Sequence, residues 1–146
     1  MVVVAVFVIL VLVTISLGVR IVPQGTKHVV QRLGKYHKTL GPGFLESVYQ
    51  AALAYELKKA NIPFEKEKDL RVPYEDIILE VGFRCDFLID KRVIVECKSV
   101  KDVAPIDHAQ LLNYLKISEL QLGLLINFNV LKLTSGIKRI VNNYND

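Results

Sequence analysis

Two short segments rich in β-branched and aromatic residues, 83–89 and 92–100, constrain the fold of this chain more than any other feature. Such segments form strands, and the Asp-Lys pair between them suits a turn, so the sequence predicts a β-hairpin. The first strand carries Asp86, and the second carries Glu96 and Lys98. Because side chains alternate between the two faces of a strand, Glu96 and Lys98 point the same way. The hairpin therefore brings two carboxylates and an ammonium group towards one place.

This set of groups is suited to phosphodiester hydrolysis. Carboxylate oxygens are the ligands that hard cations such as Mg²⁺ prefer, and a bound ion polarises a phosphoryl oxygen and acidifies a water molecule. A lysine beside the ion can orient that water or help to deprotonate it. An acid followed by Glu-x-Lys also arises by chance, and a charged strand end is often only a solvated edge. The pattern alone leaves both interpretations open.

Three motifs make the chain resemble the PD-(D/E)XK nuclease superfamily. Asp86, Glu96 and Lys98 match the motif that names the superfamily, although no proline directly precedes Asp86. Residues 110–114, Gln-Leu-Leu-Asn-Tyr, match the QxxxY element of its recombination-exonuclease branch. Residues 43–49, Gly-Phe-Leu-Glu-Ser-Val-Tyr, match the GxxExxY motif that names a small family within the superfamily. The resemblance extends from just before this last motif to the C-terminus.

The resemblance implies a metal-dependent active site. Its residues are Glu46, Asp86, Glu96, Lys98, Gln110 and Tyr114. The carboxylates of Asp86, Glu96 and Glu46 would bind Mg²⁺ or Mn²⁺, and Lys98 would act on the attacking water. Gln110 and Tyr114, from the QxxxY element, would order the site.

Helical spacing supports part of this assignment. Glu46 and Tyr49 share one face of a helix predicted at 44–60, and Gln110 and Tyr114 share one face of a second helix. A glutamate in a first helical turn is also favoured by the helix dipole alone, and Tyr114 also suits a half-buried core position. The residues themselves leave these structural roles open beside the catalytic ones.

The segment 44–146 is predicted to form one α/β domain of the restriction-endonuclease-like type, a mixed sheet flanked by helices. About a hundred residues can form a single core. Beyond the hairpin and the first helix, the expected elements are strands at 64–73 and 77–81, a helix at 105–117, a strand at 122–127 buried on both faces, and a closing helix at 136–141.

The N-terminal part of the chain has a different character. Residues 1–19 carry no charged side chain and are almost wholly apolar, which predicts one transmembrane anchor. A secretory signal peptide would have a basic start and a small-residue cleavage site. Residues 2–43 resemble the start of stomatin/prohibitin-type (SPFH) membrane proteins, most specifically through Ile-Val-Pro-Gln-Gly and Arg-Leu-Gly-Lys-Tyr in the basic segment 20–43. The chain is therefore interpreted as a fusion of an anchor, a stomatin-like juxtamembrane segment and the domain at 44–146.

Charge is divided unevenly between these parts. Residues 1–43 contain five basic and no acidic residues, whereas residues 44–146 contain fourteen basic and fifteen acidic ones, so the net charge of +4 arises before the domain. The basicity is no argument for nucleic-acid binding by the domain. A basic segment beside an anchor suits an anionic cytoplasmic membrane face and predicts a cytoplasmic C-terminal domain. Without the anchor, the domain would also be cytoplasmic.

The leading hypothesis is a metal-dependent nuclease domain whose partner is nucleic acid, with DNA favoured, and which residues 1–19 attach to a membrane. One alternative is a catalytically silent nucleic-acid or protein interaction module on the same fold. Another is a stomatin-like membrane scaffold, which is disfavoured because most of that domain is missing. The intact motifs favour the nuclease. The sequence leaves open the choice between DNA and RNA, endonuclease or exonuclease action, and the oligomeric state, a homodimer included.

Overall fold

A five-stranded mixed sheet organises the part of the chain that the computed structural model describes, residues 37–80 and 82–143. In chain order the elements are α1 (Glu46–Lys59), β1 (Phe64–Leu70), β2 (Pro73–Tyr74), β3 (Ile77–Ile78), β4 (Phe83–Ile89), β5 (Val93–Lys98), α2 (Pro105–Ile117), β6 (Leu122–Asn127), α3 (Leu133–Gly136) and β7 (Ile137–Val141). The sheet order is β1-β4-β5-β6-β7, and β2 and β3 form a separate small hairpin. Strands β5 and β6 run parallel, and the other neighbours run antiparallel. The predicted mixed α/β architecture is confirmed.

The β4–β5 hairpin forms as predicted. Its two turn residues, Asp90 and Lys91, have φ values of 50° and 53°. The Arg92 N–H donates to the Ile89 carbonyl across the turn at 3.0 Å. Two consecutive left-handed residues match the right-handed twist of the flanking strands, so the turn fixes the register of the pair.

The sheet is covered on both faces. Helix α1 packs on one face through Tyr49, Leu53 and Leu57, which are fully buried in one hydrophobic cluster. Helix α2 contributes Leu111 and Leu115 to a second cluster. All six residues of β6 are buried, which confirms the strand predicted to be covered on both faces. We call the two faces the α1 side and the α2 side.

Strand β4 changes faces at Asp86. Cys85 belongs to the α2-side cluster and Phe87 to the α1-side cluster, although residues two apart on a regular strand share a face. On the neighbouring strand β1, Glu67 has a left-handed φ of 52°, and the residues beside it pair with Cys85 and Phe87. The irregularity therefore lies at Asp86, opposite the left-handed Glu67.

The closing helix predicted at 136–141 is wrong. A single helical turn, α3, ends at Gly136, and residues Ile137–Val141 form β7, antiparallel to β6. The spacing of Ile137, Ile140 and Val141 fits a helix, but β-branched residues also favour strands. Pairing from Ile137–Ile126 to Val141–Leu122 gives backbone partners to β6, which would otherwise be a buried edge. The strands expected at 64–73 and 77–81 are shorter, because the chain leaves the sheet after Leu70 and forms the small hairpin.

The described part of the chain packs onto the core from His37 onwards. His37 is buried, and its Nε2 lies 3.0 Å from the Phe128 carbonyl oxygen. Leu40 packs against the α1-side cluster. None of the described helices is long and apolar enough to cross a membrane. The predicted anchor at 1–19 lies outside the described residues, and the domain boundary at residue 44 stays a prediction.

Candidate active site

Asp86 and Glu96 are joined by an exchange of hydrogen bonds between neighbouring strands. The Cys97 N–H donates to Asp86 Oδ2 at 2.7 Å, and the Asp86 N–H donates to Glu96 Oε1 at 3.3 Å. The regular ladder between the strands runs from Ile89–Val93 to Phe87–Val95, so this exchange follows directly where the ladder ends. It fixes both carboxylates side by side, each with one oxygen held by a backbone donor.

Lys98 shares the face of Glu96, as alternation along β5 predicts. Val95 and Cys97 pack in the α1-side cluster, and Ile94 packs on the α2 side. Glu96 and Lys98 therefore face the α2 side together. Glu96 is 5% exposed, so its carboxylate stands in a largely dry environment.

The carboxylates of the site are hard to ionise together. Burial, with the neighbouring Asp86 charge, raises the pKa of Glu96 to about 8. Burial also raises the pKa of Asp86, against the opposing hydrogen bond from the Cys97 N–H. For Glu46, burial and then the Asp86 charge raise the pKa. Buried carboxylates that lie close together destabilise a fold through desolvation and repulsion. Such clusters are therefore typical of functional sites.

Glu46 reaches the pair from the first turn of α1. Gln50, one turn further and largely buried, donates from Nε2 to Glu46 Oε1 at 3.4 Å and also hydrogen-bonds the Asp86 carboxylate. Ser99 Oγ donates to the Phe44 carbonyl at 2.6 Å and holds the start of α1 at the end of β5. The sequence analysis missed Gln50, although its spacing of four residues from Glu46 was a signal that could have identified it.

Lys98 makes an ion pair with Asp107, a residue that the sequence analysis did not assign to the site. Its Nζ lies 3.4 Å from Asp107 Oδ1, in the first turn of α2. Burial disfavours the ammonium, but the charges of Asp107, Glu96 and Glu46 outweigh it and raise the pKa of Lys98. Lys98 is therefore a cation at neutral pH. No local pattern marked Asp107, because the contact depends on how α2 packs against the sheet.

Gln110 and Tyr114 share a face of α2, as the QxxxY spacing predicts. Gln110 Nε2 donates to the Tyr114 hydroxyl. Tyr114 is 2% exposed, and its ring lies 5.1 Å from that of Phe83. Burial raises the pKa of Tyr114, and the charges of Glu96 and Asp86 add to this effect. Tyr114 is thus a buried core aromatic whose hydroxyl accepts from Gln110 and lies within electrostatic range of the carboxylates, and its catalytic role stays a prediction.

The donor set fits a hard cation held by few protein ligands. Among residues 37–80 and 82–143, no three His, Cys, Asp or Glu side chains stand close enough to hold a metal ion by themselves. Mg²⁺ does not require such a cage, because it keeps several waters and is usually held by one or two carboxylates. Asp86 and Glu96 supply these, and a cation would relieve their repulsion. A ligand set that also includes Glu46 stays a prediction.

The mixed sheet carries an acid, Asp86, on one strand and Glu-x-Lys, residues 96–98, on the next, which is the arrangement that the motif of the PD-(D/E)XK superfamily describes. The family model of the PD-(D/E)XK nuclease superfamily matches residues 23–140, and the chain belongs to that superfamily. Its nucleases generally use divalent metal ions, hydrolyse phosphodiester bonds and bind nucleic acid. The match begins inside the segment that resembles stomatin-type proteins, and neither that resemblance nor the narrower GxxExxY family is identified by it.

The solved structure of SSO0001 is similar to this chain, with a TM-score of 0.51 and 21% sequence identity. The similarity covers 68% of this chain and 50% of the other, so the chain spans half the length of that protein. At this sequence identity, the similarity shows a shared fold and carries no conclusion about activity. No curated protein matches the chain.

Proposed function

We propose that this chain is a metal-dependent nuclease of the GxxExxY type, which hydrolyses phosphodiester bonds in nucleic acid, with DNA as the favoured substrate. The observation that carries the proposal is the hydrogen-bonded pair of Asp86 and Glu96, with Lys98 on the same face. In a chain of this superfamily, that arrangement supports catalysis more strongly than a silent interaction module. A silent module has no use for buried acids that destabilise its own fold.

Each residue of the site has a proposed role that follows from its chemistry. Asp86 and Glu96 would hold Mg²⁺ or Mn²⁺, which when bound would supply Lewis acidity and an acidified water. The protonated Lys98 orients the attacking water and stabilises negative charge on the phosphoryl oxygens. Glu46, whose carboxylate has a raised pKa, accepts a hydrogen bond from that water and takes its proton. Tyr114 completes the polar lining of the site.

The contacts of Tyr49 support the assignment to the GxxExxY type. Its side chain is fully buried, and its ring stacks on Phe128 with centroids 4.6 Å apart. Its hydroxyl donates to the Gly41 carbonyl at 2.7 Å and accepts from the Phe44 N–H at 3.2 Å. The motif tyrosine thus fixes the loop from which α1 starts. The position of the first turn of α1 depends on these contacts of Tyr49. Glu46 lies in that turn, which accounts for the fixed spacing between the two residues.

A cleavage assay on the full chain tests this function. With Mg²⁺ or Mn²⁺, the protein is expected to cleave single- or double-stranded DNA, and a chelator should abolish cleavage. Asp86→Ala and Glu96→Ala should each lose both cleavage and calorimetric metal binding, because they remove carboxylate ligands. Glu65→Ala, an exposed acid on β1, is the matched control and should behave like the parent. A parent that binds metal but cleaves neither DNA nor RNA would indicate the silent module instead.

We also propose that residues 1–19 anchor the protein to a membrane, with the C-terminal domain in the cytoplasm. The support is the uncharged apolar run and the five basic residues that follow it before residue 44. The full chain is expected to remain with the membrane fraction after an alkaline carbonate wash. The matched variant lacking residues 2–19 should move to the supernatant. Recovery of the full chain in the supernatant would contradict the anchor.

A further inference from the structure

We propose that Asp107 is a positioning residue that holds the Lys98 ammonium in place for the reaction. The inference rests on the proposed nuclease function, because it is in that reaction that Lys98 acts. Asp107 belongs to none of the three motifs of the sequence, and it acts through Lys98 without contacting the substrate.

Asp107 is itself fixed on α2 by a second contact. Its Oδ1 lies 3.4 Å from Lys98 Nζ, and its Oδ2 accepts a hydrogen bond from the Ala104 N–H at 2.9 Å. The second bond closes the start of the helix, which Leu111 and Leu115 hold against the sheet. The carboxylate is therefore attached to a packed element, whereas the lysine has a flexible four-carbon chain. An anchored partner removes that freedom.

The position of the pair distinguishes it from a surface ion pair. The side chains of Lys98 and Asp107 are 21% and 19% exposed, whereas those of Arg84 and Asp69, which also form an ion pair, are 62% and 75% exposed. Water and salt screen the exposed pair far more strongly. The chain thus offers a matched control, in which an acid–base contact of the same type lies outside the site.

Asp107 also competes with the carboxylates of the site for the ammonium. Asp107 forms an ion pair with the ammonium at 3.4 Å, and the negative charges of Glu96 and Glu46 also attract it. Without Asp107, the carboxylates of the site would be the remaining acids that attract the flexible lysine. Asp107 draws the ammonium towards α2, which leaves Glu96 for the metal and keeps the cation next to the reacting phosphate.

A double-mutant cycle on the full chain separates this role from helix capping. Asp107→Asn keeps an oxygen acceptor for the Ala104 N–H but removes the charge that holds Lys98. It is expected to lower kcat about tenfold and to change KM less than about twofold, because the ammonium is misplaced only with respect to the transition state. Asp107→Glu should recover most of the loss. In a Lys98→Ala background, Asp107→Asn should lower kcat no further.

The exposed pair of Asp69 and Arg84 supplies the control. Asp69→Asn, which breaks the exposed pair with Arg84, should leave kcat at the parental value. Parental kcat in Asp107→Asn, or losses that add in the double variant, would overturn the positioning role. A kcat loss that accompanies a lower urea midpoint, and that persists without Lys98, would show helix capping instead.

Urea denaturation midpoints distinguish failure of this inference from failure of the proposed function. They are measured on the parent, Asp107→Asn, Lys98→Ala and the double variant. The two substitutions should be non-additive in the midpoint if the contact exists, whether or not the protein cleaves. An inactive parent would overturn the proposed function, and the positioning role with it, even where the midpoints are coupled. An active parent with uncoupled midpoints and additive kcat losses would overturn the positioning role alone.

Discussion

Replacing Lys98 by alanine is expected to reduce kcat by about a hundredfold or more while Mg²⁺ affinity stays near that of the parent. A protonated lysine has no lone pair for a metal, so its loss removes no ligand. The loss instead removes the ammonium that, in the proposed mechanism, stabilises the charge developing on the phosphate. Calorimetric metal titration and single-turnover cleavage, measured on the same samples, separate binding from chemistry.

Lys98→Arg is the matched control for charge. It keeps the cation but changes the shape of its donor group, so it should retain more activity than the alanine variant. Cleavage by Lys98→Ala at the parental rate would remove Lys98 from the mechanism. A parent that binds no divalent metal would contradict the nuclease assignment as a whole.

Without divalent metal, the free energy of unfolding is expected to fall as pH rises from about 4.5 to about 8. The Glu96 carboxyl has an ordinary pKa of 4.5 and a folded-state pKa of about 8. Between these values the folded protein keeps a proton that the unfolded chain has released, so rising pH favours unfolding. The neutral carboxyl is fully compatible with the fold below the lower value, and the destabilisation is complete above the upper one. Saturating Mg²⁺ should flatten this slope, because metal binding favours the ionised carboxylates.

Glu96→Gln tests the source of that slope. The amide stays neutral at every pH and keeps an oxygen acceptor for the Asp86 N–H. The variant should be more stable than the parent by about 1 to 4 kcal/mol near pH 8 in a chelator, and nearly equal to it near pH 4.5. Urea denaturation at several pH values measures the difference. Glu65→Gln, an exposed acid, should follow the parent, and an unchanged slope in Glu96→Gln would place the titrating group elsewhere.

The sequence predicted those parts of the site that depend on local signals. Alternation along β5 put Glu96 and Lys98 on one face, and the two-residue turn placed Asp86 on the neighbouring strand. Both predictions depend on residues close together in the chain, where strand geometry leaves few alternatives. The spacing of Gln110 and Tyr114 on one helical turn is of the same kind.

The remaining features arise from packing between distant segments. Asp107 meets Lys98 only because α2 lies across the sheet, and β7 forms only because β6 needs a partner along its edge. The change of faces at Asp86 likewise depends on the neighbouring strand, where Glu67 is left-handed. Periodicity within one segment carries no information about such contacts, so it predicted a helix for the last strand and overlooked the aspartate.

The burial of His37 against Phe128 limits how far the folded domain can lie from the proposed anchor. The contact ties the chain to the core at residue 37, so only residues 20–36 separate the proposed anchor from the folded domain. Seventeen residues reach no further than about 60 Å even when fully extended. The reach of a protein anchored and active as proposed is therefore this linker length plus about one domain length. Within that distance of the bilayer it would meet nucleic acid that enters, leaves or attaches at the membrane surface.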